Sequence, residues 1–114
     1  MLNNVGIIGR IANNPKLIEE NGHKCSYITL ANNREFKNSE GIYETDFIDI
    51  KVFYPMCDSL VEYCHKGDLI GVKGRLETSV RENENGEKFK ITFVFATKIT
   101  FLSLSSRKSG ENND

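Results

Sequence analysis

The 114-residue sequence contains no tryptophan, three cysteines and no long apolar run. Cys25, Cys57 and Cys64 form an odd set without the C-x2-C spacing of many metal sites, and a small fold held by disulfides usually carries more cysteines. We therefore expect reduced thiols, as in a cytoplasmic protein. The apolar run near the start is too short and too interrupted for a signal peptide, and nowhere do 18 apolar residues follow one another. The sequence thus predicts a soluble chain without a membrane partner.

The sequence also lacks an excess of either charge. It has 15 lysines and arginines against 16 aspartates and glutamates, a formal net charge of −1. This balance gives no overall attraction to nucleic acid or to an anionic membrane, so a site for a polyanion has to come from a local arrangement of cations. The length fits one domain, which would bury about two thirds of the surface that the unfolded chain exposes.

Period-two alternation of apolar residues predicts five β-strands. Their expected ranges are 4–11, 25–33, 46–53, 69–80 and 88–101. The polar stretches 12–24 and 34–44 are expected to be a loop and a mobile hairpin tip. From about Ser105 the chain is polar, which predicts a domain of residues 1–104 followed by a disordered tail of residues 105–114.

Residues 56–67 show a helical period instead. Cys57, Leu60 and Cys64 fall at positions i, i+3 and i+7, which predicts a short amphipathic helix that ends near Gly67. The predicted order is therefore three strands, one helix and two strands. This is the order of an OB-fold, so we predict an all-β fold with one short helix: a five-stranded barrel with the helix between strands 3 and 4. Such barrels commonly bind oligonucleotides on strands 2 and 3.

The third predicted strand, DFIDIKVF at residues 46–53, contains two phenylalanines among charged residues. In a strand, Phe47 and Phe53 share a face with Lys51, while Ile50 lies on the opposite face. Burying a phenylalanine contributes roughly 1.5–3 kcal/mol, so two uncovered rings imply a cover. That cover would come from elsewhere in the chain, from another subunit or from a ligand.

Asn85-Gly86 is a dipeptide of the kind that most strongly signals a short hairpin, and it predicts a two-residue type I′ turn between the last two strands. In that register Arg81 faces Lys90, and like charges opposite each other destabilise a hairpin unless an anion such as phosphate screens them. The predicted apolar face then joins two sets of residues, which are Leu76, Thr78, Val80 and Glu82 on one strand and Phe89, Ile91, Phe93 and Phe95 on the other.

A basic stripe is expected around Phe47 and Phe53, because many acidic residues lie in the helix and the first loop. Its members would be Arg34, Lys37, Lys51, Lys73, Arg75, Arg81, Lys88 and Lys90. Aromatic rings interleaved with cations are typical of surfaces for unpaired nucleic acid, because each stacked base is worth roughly 1–3 kcal/mol while the cations follow the phosphates. Plainer explanations exist as well: exposed aromatic residues often lie in subunit interfaces, and a charged hairpin is often a solvated face.

Four segments resemble the bacterial and phage single-stranded DNA-binding proteins. They are the opening MLNNVGIIGRIANNPKL, the second strand YITLANNREF, the third strand DFIDIKVF, and the helix, glycine and fourth strand LVEYCHKGDLIGVKGRLET. The resemblance runs from Met1 to about Leu104, and the four segments together are more specific than any one alone.

The resemblance implies an OB-fold protein that binds unpaired DNA with little sequence preference during replication, recombination and repair. It also implies a homotetramer, or a dimer as in some phage forms, located in the cytoplasm at the nucleoid. By position, the base-stacking aromatic residues of the family match Phe36, Phe47 and Phe53. The expected phosphate contacts are Arg10, Arg34, Lys51, Lys73, Arg75, Arg81, Lys88 and Lys90.

The sequence departs from the family in three respects. Relatives often carry an aromatic residue where this chain has Arg81, which suggests less stacking and more phosphate contact. Many relatives use tryptophan at stacking positions, and phenylalanine offers a smaller platform. The last residues, GENND, lack the acidic, apolar-tipped end through which cellular members recruit replication and repair proteins, so the recruited partners are left open.

No residue pattern predicts catalysis, a metal site or a cofactor. Cys64 and His65 are adjacent, but neighbours on a helix point about 100° apart and Cys64 lies on the apolar stripe, which favours a core thiol over a nucleophile. His23 and His65 have no metal-site spacing with the cysteines. The sequence therefore favours a binding protein over a nuclease or a thiol hydrolase. The main alternative is an OB-fold interaction subunit of a primosome or recombination complex.

Overall fold

A computed structural model describes residues 1–104, in which six β-strands and one α-helix form. The elements in chain order are β1 (Val5–Ile11), β2 (Ile18–Glu20), β3 (His23–Lys37), β4 (Tyr43–Phe53), α1 (Met56–Tyr63), β5 (Leu69–Glu82) and β6 (Lys88–Ser103). The predicted polar tail lies outside the described residues, so the boundary at residue 104 stays a prediction.

Five of the strands close into a barrel. β1 pairs antiparallel with both β3 and β5, β5 pairs with β6, and β3 pairs with β4. A short parallel contact between β4 and β6, at Ile50 with Val94 and Lys51 with Phe95, closes the ring. The prediction of a five-stranded OB-fold barrel is confirmed. The helix follows β4 and precedes β5, which are the third and fourth strands of the barrel.

The core fills the barrel with aliphatic side chains from every barrel strand. Fully buried members include Leu30, Ile50 and Val72, which lie on the inward face that strand alternation gives them. The apolar side of α1 adds Cys57 and Leu60 to the same cluster, so the helix covers one end of the barrel. The three cysteines are buried as reduced thiols.

The loop predicted at residues 12–24 contains the short strand β2. Glu20 pairs with His23 across Asn21 and Gly22, whose φ angles are 52° and 80°. Positive φ at both central residues is the requirement of a type I′ turn, which Asn-Gly dipeptides favour. The sequence signal was present at residues 21–22, and the prediction of a loop over the whole of residues 12–24 is wrong.

The β3–β4 hairpin is longer than predicted. Strand pairing continues to Lys37 and Tyr43, so the connecting turn holds residues 38–42 instead of 34–44. The side-chain oxygen of Asn38 accepts hydrogen bonds from the backbone N–H groups of Glu40 and Ile42, at 2.9 and 3.0 Å. This side chain therefore organises the turn.

The β5–β6 hairpin adopts a different register from the predicted one. The Asn83 N–H donates to the Glu87 carbonyl at 2.9 Å, and Gly86 has a φ of 80°. The loop thus has three residues, as in a type I turn followed by a left-handed glycine. Arg81 faces Phe89 instead of Lys90. The predicted pairing was wrong because a one-residue change of register moves the side chains of one strand to the other face.

A bulge in β6 requires a glycine on β5. Thr97 is the extra residue, and its hydroxyl donates to the carbonyl of Lys73 at 3.1 Å. A Cβ atom on Gly74 would collide with the backbone carbonyl of Phe95. Bulges bend a strand and increase its twist, which allows this long hairpin to follow the barrel wall.

Within residues 1–104, α1 is too short to cross a membrane, and no longer helix occurs.

Candidate nucleic-acid interface

The side chains of β4 alternate as the sequence predicts. Ile50 and Val52 are fully buried in the core, whereas Phe47 is 67% exposed on the outer face. Phe53 lies on the same outer face and is partly covered. Its ring meets the ring of Phe95 edge-on, with centroids 5.2 Å apart. Neither phenylalanine is sealed inside the barrel, so the outward orientation predicted for them is confirmed.

The outer face of β4 continues onto β3 and β6. Tyr27 lies opposite Lys51 on one side, and Phe95 lies beside Lys51 on the other. The Lys51 ammonium is 4.9 Å from the ring centre of Phe53, 5.3 Å from that of Tyr27 and 5.8 Å from that of Phe93. These distances fit cation–π contacts. We call the residues Tyr27, Phe47, Lys51, Phe53, Phe93 and Phe95 the aromatic surface, in which Phe93 is buried, with 8% of the residue exposed.

A carboxylate neutralises Lys51 at the centre of the aromatic surface. Glu20 Oε1 lies 3.0 Å from Lys51 Nζ, and Glu20 Oε2 accepts a hydrogen bond of 2.7 Å from the Tyr27 hydroxyl. The Tyr27 hydrogen bond, followed by that of Lys51, lowers the pKa of Glu20. Burial disfavours the Lys51 charge, but the bonds to Tyr27 and Glu20 outweigh it and raise the pKa of Lys51.

Arg34 on β3 also has carboxylate partners. Its guanidinium donates two hydrogen bonds to Asp46, at 2.8 and 3.0 Å, and lies 3.3 Å from Glu44. The hydrogen bond raises the pKa of Arg34 and lowers that of Asp46. Phe36, two residues further along β3, is 82% exposed. The register shifts between Asn33 and Lys37, so simple alternation does not set the direction of this ring.

The β5–β6 hairpin carries its cations on two faces. We call residues 77–93 of this hairpin the arm. Arg81 pairs with Phe89 on the face shared with Phe93 and Phe95, whereas Lys88 and Lys90 lie on the opposite face. Within residues 1–104, none of these three cations forms an ion pair. Arg75 lies just below the arm, 3.6 Å from Glu77.

The remaining predicted cations lie away from the aromatic surface. Arg10 on β1 donates to the Gly67 carbonyl at 3.0 Å. Lys73 lies opposite Gly6 of β1, and Lys37 lies over the ring of Tyr43 at the β3–β4 hairpin. The structure thus brings Phe47, Lys51, Phe53, Arg75 and Arg81 to one face of the sheet, whereas the other predicted residues lie outside that group.

Sequence reasoning missed the contribution of β6 to this surface. Phe93 and Phe95 were assigned to the apolar face of the hairpin together with Leu76, and the structure places them on the face of Arg75 and Arg81. Their alternation was clear in the sequence. The error came from the assumed two-residue turn, which fixed the wrong set of partners.

The described residues contain no cluster of three or more His, Cys, Asp or Glu side chains suited to a metal ion. Burial raises the pKa of the Cys25 and Cys57 thiols, which keeps them protonated. Cys64 lies in the core cluster, next to an exposed His65. The site therefore offers rings, cations and carboxylates for binding.

A closed five-stranded barrel with a helix at one end, and with aromatic and basic side chains across its outer face, defines an OB-fold of the nucleic-acid-binding class. Residues 2–102 match the model of the Single-strand binding protein family. The chain belongs to that family.

Individual relatives agree with this assignment. The chain is 35% identical over 109 residues to single-stranded DNA-binding protein B of Bacillus subtilis strain 168, covering 95% of this chain and 96% of that protein. It is 41% identical over 103 residues to single-stranded DNA-binding protein 1 of Staphylococcus aureus strain Mu50, of which it spans 66% of the length. A solved Plasmodium falciparum SSB complex with ssDNA has a similar structure, with a TM-score of 0.80 at 27% identity over 90% of this chain and 96% of that one.

Proposed function

We propose that this chain binds single-stranded DNA with little sequence preference and protects it during replication, recombination and repair. One observation carries the proposal: Phe47 and Phe53 face outward on β4, beside further aromatic rings of β3 and β6. Membership of the Single-strand binding protein family supports it, as does the similarity to a structure solved with ssDNA.

In this proposal bases stack on exposed rings while cations follow the backbone. Phe36, Phe47 and Phe53 are the stacking residues, and a duplex cannot use them because its bases are already stacked on each other. The phosphate contacts are Arg10, Arg34, Lys51, Lys73, Arg75, Arg81, Lys88 and Lys90. Arg81 should contribute more than Arg34 or Lys51, since within residues 1–104 those two form ion pairs with carboxylates and Arg81 does not.

Phe47 is the best residue for a test, because its ring is exposed and its removal leaves the core intact. We expect Phe47→Ala to weaken binding of fluorescently labelled oligo-dT by roughly 5- to 150-fold, the equivalent of about 1–3 kcal/mol for one stacked base. Fluorescence anisotropy measures this change. Tyr63→Ala, which removes an exposed ring of α1, serves as the control and should bind like the wild type.

The alternative is a protein-interaction subunit whose outer rings bind another protein. It predicts equal affinity of the wild type for oligo-dT and for the matching duplex, and no difference between Phe47→Ala and Tyr63→Ala. Either result would contradict the proposal.

The proposed function does not include catalysis. A location in the cytoplasm, at the nucleoid, fits a protein that binds single-stranded DNA.

A homo-oligomer completes the proposal. Ile8 of β1 is 59% exposed and Leu102 of β6 is 47% exposed, and both lie within 4 Å of the position that a Cβ atom on Gly71 would occupy. The result is an apolar area on the outside of β1, β5 and β6, and exposed apolar areas of this kind mark contact surfaces. A second copy of the chain is the proposed occupant, with a tetramer expected and a dimer as the smaller option.

A further inference from the structure

Glu20 occupies a position on the proposed DNA-binding face that an anionic ligand would also favour. It is the last residue of β2, and the Asn21-Gly22 turn folds β2 back onto β3. This turn brings the carboxylate to Lys51 at 3.0 Å, beside Tyr27. The Lys51 ammonium is the cation most deeply set among the aromatic rings, with 15% of its side chain exposed.

A carboxylate and a phosphate oxygen compete for the same ammonium. Both are anionic acceptors that make short, charge-assisted hydrogen bonds with lysine. Glu20 is held in place from two sides, because the Tyr27 hydroxyl donates to its second oxygen at 2.7 Å. A phosphate that approached Lys51 would have to displace this carboxylate or accept its repulsion.

We infer that Glu20 occupies the position on Lys51 that a phosphate would otherwise take. The DNA backbone is thereby kept away from the centre of the aromatic surface, which stays available for stacking of bases. Glu20 is then a residue that positions the strand, with the bases over Tyr27 and Phe53 and the phosphates toward the arm. The inference rests on the proposed binding of single-stranded DNA, and it removes Lys51 from the expected phosphate contacts for as long as Glu20 is bound to it.

The number of phosphates engaged can be counted from the salt dependence of binding. Each phosphate neutralised on a single strand changes the slope of log K against log salt concentration by about −0.7. In Glu20→Gln the amide can still accept the Tyr27 hydrogen bond but no longer neutralises Lys51. We expect the slope of oligo-dT binding to steepen by about 0.7, with tighter binding at low salt, because Lys51 becomes free to bind one phosphate.

Two further variants make the test specific. Glu19→Gln removes the same charge one residue earlier on β2, where within residues 1–104 the carboxylate forms no ion pair, and its slope should equal that of the wild type. Arg81 also contributes to the low pKa of Glu20 and is therefore a second cation that Glu20→Gln could release. The double variant Glu20→Gln/Lys51→Met should return the slope to the wild-type value if Lys51 is the group that gains the phosphate.

Every outcome bears on one of the two claims. Equal slopes for Glu20→Gln and Glu19→Gln would overturn the inference, and so would a steeper slope that survives in the double variant. If the wild type itself does not bind oligo-dT, the proposed function fails instead. Thermal melting of each variant, followed by circular dichroism, confirms that the compared proteins are folded at the assay temperature.

Discussion

At the scale of single residues, a cation contributes to DNA binding only as far as its charge is available. Arg34 is bound by two carboxylates and Lys51 by one, whereas Arg81 has no ion-pair partner within residues 1–104. A sequence shows the number of cations but not their pairing, because carboxylates from distant parts of the chain supply the partners. The basic stripe predicted from the sequence is therefore divided into paired and available charges.

This division predicts different effects for two arginine substitutions. Arg81→Ala should reduce the salt-dependence slope of oligo-dT binding by about 0.7, since one phosphate contact is lost. Arg34→Ala should change the slope less, because Asp46 and Glu44 already neutralise that guanidinium. Anisotropy titrations from low to high NaCl measure both slopes. A larger change for Arg34→Ala than for Arg81→Ala would contradict the division.

The paired carboxylates also make stability depend on pH. The pKa of Glu20 is lowered from its usual 4.5, and that of Asp46 from 3.8, by hydrogen bonds in the folded state. A group whose pKa is lower in the folded than in the unfolded state stabilises the fold above its unfolded pKa and loses that effect as the pH falls through its folded pKa. We expect the free energy of unfolding in urea to decrease below about pH 4.5, and to decrease less in Glu20→Gln. An equal decrease in the two proteins would show that Glu20 does not contribute.

At the scale of elements, the sequence predicted the barrel strands and the helix, but not how two hairpins are connected. Alternation and helical period are local signals, and they located β4 and α1 within a few residues. Register depends on the number of residues in a turn, and Asn-Gly occurs in both hairpin loops. At Asn21 it forms the two-residue turn, whereas at Asn85 it belongs to a three-residue loop held by Asn83. The aromatic surface could be predicted from the sequence for β4 alone, because the contribution of β6 depends on that register.

The bulge in β6 gives a prediction at the same scale. Gly74→Ala should lower the free energy of unfolding by about 1–3 kcal/mol or more, because the added Cβ has to push against the backbone at Phe95. Gly6→Ala on β1, the strand that pairs with β5, is the control, since its Cβ would meet no atom within 4 Å. Thermal or urea unfolding compares them. Similar losses in the two variants would show that the close approach at the bulge relaxes at little cost.

At the scale of the whole molecule, a net charge of −1 makes the proposed DNA binding a local property. Carboxylates lie beside the cations of β3 and β4. The arm likewise carries its cations, Arg81, Lys88 and Lys90, together with four glutamates, Glu77, Glu82, Glu84 and Glu87. A chain of this kind should bind nucleic acid through a defined path instead of through its overall field. The local rings and cations were predicted from the sequence, whereas their placement relative to the carboxylates required the fold.

The apolar area at Ile8, Gly71 and Leu102 makes a prediction about assembly. We expect light scattering of the wild type to give a multiple of the 12.9 kDa chain mass, with a tetramer as the expected species. Ile8→Glu should shift the protein toward monomer, because a charge would then lie in the contact between copies. A wild type that scatters as a monomer at all concentrations would contradict the proposed homo-oligomer.

The parallel contact between β4 and β6 is a short seam of the barrel, with two residue pairs joining strands that are distant in the chain. Contacts between distant segments pay the largest loop-closure entropy, so this seam is expected to assemble late in folding. Lys51 and Phe95 meet there, and the surface proposed for bases spans the junction. A nucleic-acid strand stacked across this seam would hold β4 and β6 together from the outside. DNA binding would then stabilise the closed barrel, and closure of the barrel would in turn favour DNA binding.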